Sequence, residues 1–183
     1  RKLPDEAGVY ALCDLNERPI YVGQAEKSRD TSIRKRVQRH LTSARSDIIA
    51  NRQLDVWEVA YVWAWPEGDP KRRRQLEAVL FYRFDRKQRL VNGTVPLPVG
   101  HVSRKIAEPQ RVCILPDEIR KARLDPATRF PRQVQQFHYL LDYVLNVQDK
   151  AHLRRALRVH HERLTRQLES FLTATHPSEG DED

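Results

Sequence analysis

Two tripeptides, Gly8-Val9-Tyr10 and Tyr21-Val22-Gly23, each set a phenol beside a glycine, and a basic run from Ser32 to His40 follows them. Within that run Arg36 and His40 stand four residues apart, a spacing that puts both on one face of a helix. Phenols and an imidazole can carry a proton, and a guanidinium offers a fork of donors to an anionic oxygen. If the chain folds these segments together, two tyrosines, an arginine and a histidine share one small volume.

The elements that must position them are short. Gly8–Leu12 and Pro19–Gly23 are apolar runs on either side of the turn-rich Cys13-Asp-Leu-Asn-Glu-Arg18, which reads as a hairpin with one tyrosine per strand. After Gln24–Asp30, Ile33, Val37 and Leu41 recur at helical spacing, with Thr31 or Ser32 as N-cap, so a helix is expected over about 31–44. Ser46–Asp55 reads as a loop with a short helical turn whose Ile48 and Ile49 cover the core. Val56–Trp65 has the β-branched and aromatic content of a buried strand. A helix is then expected from Pro70 to Arg86, capped by Asp69, with Leu76, Leu80 and Phe84 as its apolar stripe and Glu77 at the border of that stripe. Asn92-Gly93 ends the unit.

These residues resemble the GIY-YIG nuclease family, whose name spells the two tripeptides; here both central isoleucines are valines. The resemblance covers about residues 4–95, half of the chain. It implies an α+β fold, a small antiparallel three-stranded sheet flanked by helices. It also implies catalytic roles for Tyr10, Tyr21, Arg36, His40, Glu77 and Asn92, with Glu77 as the ligand of one Mg²⁺ (or Mn²⁺) ion. Gly8, Gly23, Lys27, Lys35 and Arg39 are expected to meet the substrate, the glycines by admitting a close backbone approach.

The implied reaction is hydrolysis of a DNA phosphodiester. Such a bond needs a base for water, positive charge for the developing phosphorane and help for the leaving oxygen. Tyr10 is the general base that the resemblance implies, while Tyr21 orients water or phosphate, or shares that role. A free phenol with a pKa near 10 is ionised about once in a thousand molecules at pH 7, a handicap of about 4 kcal/mol. Neighbouring cations such as Arg36, the metal, Lys27 or Lys35 must offset it, or His40 must take the proton onward.

The formal charge of +8 and a pI near 9.8 favour a polyanionic partner, with basic clusters at Arg34–Arg39, Lys71–Arg74, Arg83–Arg89 and Arg154–Arg166. The two cysteines, Cys13 and Cys113, lack neighbours at metal-ligand spacing and read as free thiols in a reducing cytoplasm, without zinc. No apolar run reaches bilayer length, so neither a membrane nor a secretory leader is expected, and because the sequence has no Met, Arg1 reads as a processed start.

The domain boundary is expected near Pro96: a nuclease domain over 1–95, a connector with short elements over 96–130 (Arg111–Leu115 extended, Asp117–Leu124 helical), an αα hairpin over 131–175 and a disordered acidic tail over 176–183. In the hairpin, Val134, Phe137, Leu141, Val144 and Leu145, then Leu153, Leu157, His160, Leu164, Leu168 and Phe171, mark the apolar stripes. Arg154, Arg155, Arg158, Arg163 and Arg166 are candidates for DNA contact, and His160 and His161 read as surface residues. A stand-alone restriction or mobile-element enzyme suits this layout, and a palindromic target would need a homodimer. The alternatives are a silent nucleic-acid-binding or assembly module on the same scaffold and a nuclease acting on single strands or RNA.

Overall fold

A computed structural model describes residues 2–42, 53–100 and 106–175. The chain divides into two compact units, 1–115 and 116–183. The first unit is α+β, built on an antiparallel sheet of order β2-β1-β3-β4, with β1 Gly8–Cys13, β2 Pro19–Ala25, β3 Tyr61–Pro66 and β4 Gln110–Cys113. Strand β1 is central, and every one of its residues is buried.

The β1–β2 loop is closed by one side chain. Asp14 Oδ1 accepts from the backbone N–H groups of Asn16 (3.0 Å) and Arg18 (2.9 Å), and Glu17 takes the left-handed conformation the turn requires (φ 59°). The register then pairs Tyr10 with Gly23 and Leu12 with Tyr21. Strand alternation splits β1 between two faces. Val9, Ala11 and Cys13 join Val22, Trp65, Leu80, Phe81 and Leu90 in the core under helix α2, Pro70–Asp85. Gly8, Tyr10 and Leu12 face the other way, toward helix α1, Ile33–Thr42. A Cβ on Gly8 would stand 2.3 Å from the Trp65 carbonyl oxygen and 2.7 Å from Ile33 Cδ1, so only glycine lets α1 close on the sheet.

Both helices start as their sequences indicate. Ser32 Oγ accepts from Lys35 N (3.2 Å) at the head of α1, and Asp69 Oδ1 accepts from Arg72 N (2.7 Å) at the head of α2, where Pro70 fills the first turn.

Three expectations are corrected here. The strand read over Val56–Trp65 begins only at Tyr61, because Asp55 Oδ1 accepts from Trp57 N (3.2 Å) and caps a 3₁₀ turn, Val56–Glu58. The sheet has four strands rather than three. And β4 pairs with β3 from Tyr61↔Cys113 to Ala64↔Gln110, which carries the first unit to Leu115 instead of ending it near Pro96. The turn and core contacts expected of Ile48 and Ile49, and the acidic tail 176–183, lie outside the described residues.

The second unit holds α3 Asp117–Leu124, α4 Pro126–Asn146 and α5 Ala151–Thr175. α4 starts ahead of the expected Pro131: Asp125 Oδ1 caps Ala127 N (3.1 Å), and Pro131 lies inside the helix. α4 and α5 pair as a hairpin, with Phe130 against Phe171 (5.1 Å between centroids) and Phe137 against His161 (6.2 Å). Its buried face is only partly the expected one, with Leu153 and His160 of the expected α5 stripe inside. α4 buries Arg129, Gln133, Gln136, Leu140 and Tyr143, while Val134 and Leu145 are 43% and 71% exposed. α5 buries Leu153, Ala156, Val159, His160 and Arg163, so His160 and Arg163 are interior residues rather than surface ones. Among the described residues no helix is long and apolar enough to cross a membrane.

Candidate active site

On the α1 face of the sheet, alternation puts Tyr10 and Tyr21 side by side, and α1 brings His40 over them. Tyr10 Oη lies 2.8 Å from His40 Nε2, and the His40 ring meets Tyr21 edge-on at 5.1 Å between centroids. The two phenol rings are 6.3 Å apart. Gly23 makes room for this cluster, since a Cβ there would stand 2.8 Å from Tyr10 Oη and 2.9 Å from Tyr21 Cε1.

Burial dominates the electrostatics. It pushes the Tyr10 phenol far above its usual range; Tyr21 adds to this, whereas the charge and hydrogen bonding of Arg36 pull it back. Tyr21 is raised too, first by burial, with Arg36 again opposing and the Glu77 carboxylate assisting. Arg36 is thus the cation that acts on both phenols.

Lys27, Lys35 and Arg39 turn elsewhere. Lys27 Nζ pairs with Asp5 Oδ2 (3.0 Å), Lys35 Nζ donates to the Arg29 carbonyl, and Arg39 Nη2 reaches the Asp30 carbonyl (3.3 Å). These three hold the segment before α1 and do not enter the tyrosine cluster.

Glu77 reaches β2 from α2. Its Oε2 accepts from Gln24 Nε2 (2.8 Å), and Gln24 Oε1 in turn accepts from Arg73 Nε (3.2 Å). A neutral amide thus stands between Arg73 and Glu77. Burial raises the Glu77 carboxyl above the usual carboxylate range, against the Gln24 hydrogen bond and the Arg73 charge. A half-buried carboxylate tied at one oxygen to a neutral amide fits a hard divalent cation. No cluster of three His, Cys, Asp or Glu able to hold a metal exists among the described residues. A single carboxylate with water and phosphate oxygens matches the way Mg²⁺ is commonly held.

Asn92 does not touch the cluster. Its Oδ1 accepts from Val22 N (3.1 Å) and its Nδ2 donates to Val22 O (2.6 Å), while Val91 N donates to Ile20 O (2.9 Å). The side-chain amide stands in for a neighbouring strand and closes the open edge of β2, locking the backbone between Tyr21 and Gly23.

Gln24, which links Arg73 to Glu77, is the residue that sequence reading passed over. The signal was present: Gln24 directly follows Tyr21-Val22-Gly23 and by alternation must face α2, where Arg73 and Glu77 are one helical turn apart. No protein-family model, curated protein or solved structure matches this chain.

Proposed function

We propose that this chain is a divalent-metal-dependent endonuclease that hydrolyses DNA phosphodiester bonds, a GIY-YIG enzyme of the restriction or mobile-element kind. One observation carries the reading: the Tyr10 hydroxyl lies 2.8 Å from His40 Nε2, beside Tyr21 and under the charge of Arg36. Buried phenols that share a proton path with an imidazole are costly for a core and useful to a hydrolase.

The raised Tyr10 phenol makes a free phenolate an expensive intermediate at neutral pH. A relay avoids it. As the attacking water bonds to phosphorus, its proton passes to the Tyr10 oxygen while the Tyr10 proton moves to His40 Nε2, which requires the tautomer with Nδ1 protonated. Arg36 grips a non-bridging oxygen and gains as charge grows there. Tyr21 orients the water. Glu77 would hold the divalent cation, which when bound would supply Lewis acidity to the reaction as the bond to the 3′ oxygen breaks.

Cleavage of supercoiled plasmid with Mg²⁺ and with EDTA tests the reading, alongside Glu77→Ala and Tyr10→Phe. Discrete metal-dependent fragments, lost in both variants by 10²-fold or more, are expected. The upward push on both tyrosines favours one other reading, a silent binding module. DNA bound but uncut, with single-stranded DNA and RNA also intact, would replace the nuclease by that module.

A further inference from the structure

Resting on the nuclease reading, we propose that Gln24 and Arg73 are positioning residues that hold the Glu77 carboxylate ready for its cation. Arg73 and Glu77 are four apart on α2, the spacing at which arginine and glutamate ordinarily pair directly. They do not do so here. Gln24, arriving from β2, interposes its amide, taking Arg73 Nε on its oxygen (3.2 Å) and giving Nε2 to Glu77 Oε2 (2.8 Å).

The order of these groups has a chemical consequence. Arginine has donors only, so the Gln24 oxygen must face Arg73 and its NH₂ must face Glu77. Arg73 thereby dictates which way the amide points. Arg73 is itself fixed: it is 3% exposed, with Nη2 on Glu26 Oε1 (3.3 Å) and Nη1 on the Gly68 carbonyl (3.4 Å). A direct guanidinium–carboxylate fork would occupy both oxygens of Glu77 and cancel the charge a cation needs. A neutral amide anchors one oxygen and fixes the rotamer without that cancellation. Partners one shell beyond a metal ligand typically change metal affinity or activity 10–100-fold when removed.

The test reads Mn²⁺ affinity at constant pH, from the electron paramagnetic resonance signal of free Mn²⁺, on the full chain without DNA. Gln24→Met keeps the volume and removes the donor; it should weaken Mn²⁺ binding about tenfold or more, with an unchanged circular-dichroism melt. Arg73→Met should weaken it similarly, the double variant no further than either single, and Arg73→Lys should recover part of the loss. Should Arg73→Met fail to fold, Gln24→Met decides alone. Wild-type affinity in Gln24→Met, with binding abolished in Glu77→Ala, overturns the positioning role while leaving the metal site standing. Equal binding by wild type and Glu77→Ala, or none by either, overturns the Glu77 metal site and this inference with it.

Discussion

Tyr10 is a fully buried phenol and Tyr21 a half-buried one, both beside an arginine, and desolvation outweighs the arginine in both. The sign of the pH dependence follows. A phenol whose folded pKa is raised contributes stability that is complete below the unfolded value near 10 and is lost as pH climbs toward the folded value. Each phenol kept neutral steepens the alkaline fall in stability by about 1.4 kcal/mol per pH unit. Tyr10 and Tyr21 should therefore resist ionisation beyond the usual phenol range while the chain stays folded, as followed by phenolate absorbance against a fold-sensitive signal. Tyr10→Phe should leave one such group and a shallower fall. Ionisation of Tyr10 and Tyr21 near pH 10 in a folded chain would contradict the burial assigned to the site. Tyr10, Tyr21, Arg36 and His40 were legible in the sequence because strand alternation and helical spacing are local rules. The orientation of Lys27, Lys35 and Arg39 was not: closeness along the chain says nothing of which way a long side chain turns, and these three turn to Asp5 and to loop carbonyls. The link from Gln24 to Arg73 was hidden for another reason, since it depends on α2 lying across β2.

At the scale of elements, β1, β2, α1 and α2 could be read from alternation, turn residues and caps, within a few residues at their ends. β4 could not. Its four residues bury only Val112, and it is a strand because the β3 backbone offers it an edge. Arg111 there lies 4.5 Å above the Trp63 ring, a contact that exists only once the two strands pair. The opposite edge is closed by Asn92, whose amide supplies both a donor and an acceptor to Val22. Asn92→Ala leaves that buried N–H and C=O unpaired, and should cost about 1–3 kcal/mol in urea unfolding. Asn92→Asp should cost more, because it keeps the acceptor but sets a carboxylate against the Val22 carbonyl. Since β2 carries Tyr21 and Gly23, the proposed nuclease activity should fall further than the folded fraction does. Variants as stable as wild type would show the edge to be dispensable.

For the molecule as a whole, the charge of +8 predicts a polyanionic partner, yet charge summed over a sequence does not say which cations reach water. The second unit shows the difference. Its apolar periodicity located two helices correctly and put Leu153 and His160 on the buried face of α5, but misplaced the buried face of α4. Arg163, counted among the DNA-contacting arginines, is interior with His160, while Arg158 and Arg166 of the same helix are exposed. Hydrophobic spacing finds a helix; it does not reveal that a polar face will be the covered one. The arginines therefore divide into two groups with different expected behaviour. An exposed arginine that neutralises a DNA phosphate contributes about 0.9 to the slope of log affinity against log salt concentration. If the helical unit lies on the DNA track, Arg158→Ala with Arg166→Ala should lower that slope by nearly 2 and leave the melting temperature in place. Arg163→Met should do the reverse, lowering the melting temperature because the groups around it lose their partner, with the slope unchanged. Fluorescence anisotropy over a salt series, paired with thermal melts, separates the two. A slope unmoved by the double substitution would confine DNA binding to the first unit, whose exposed Arg83, Arg86 and Lys87 at the end of α2 would then be the cations to remove.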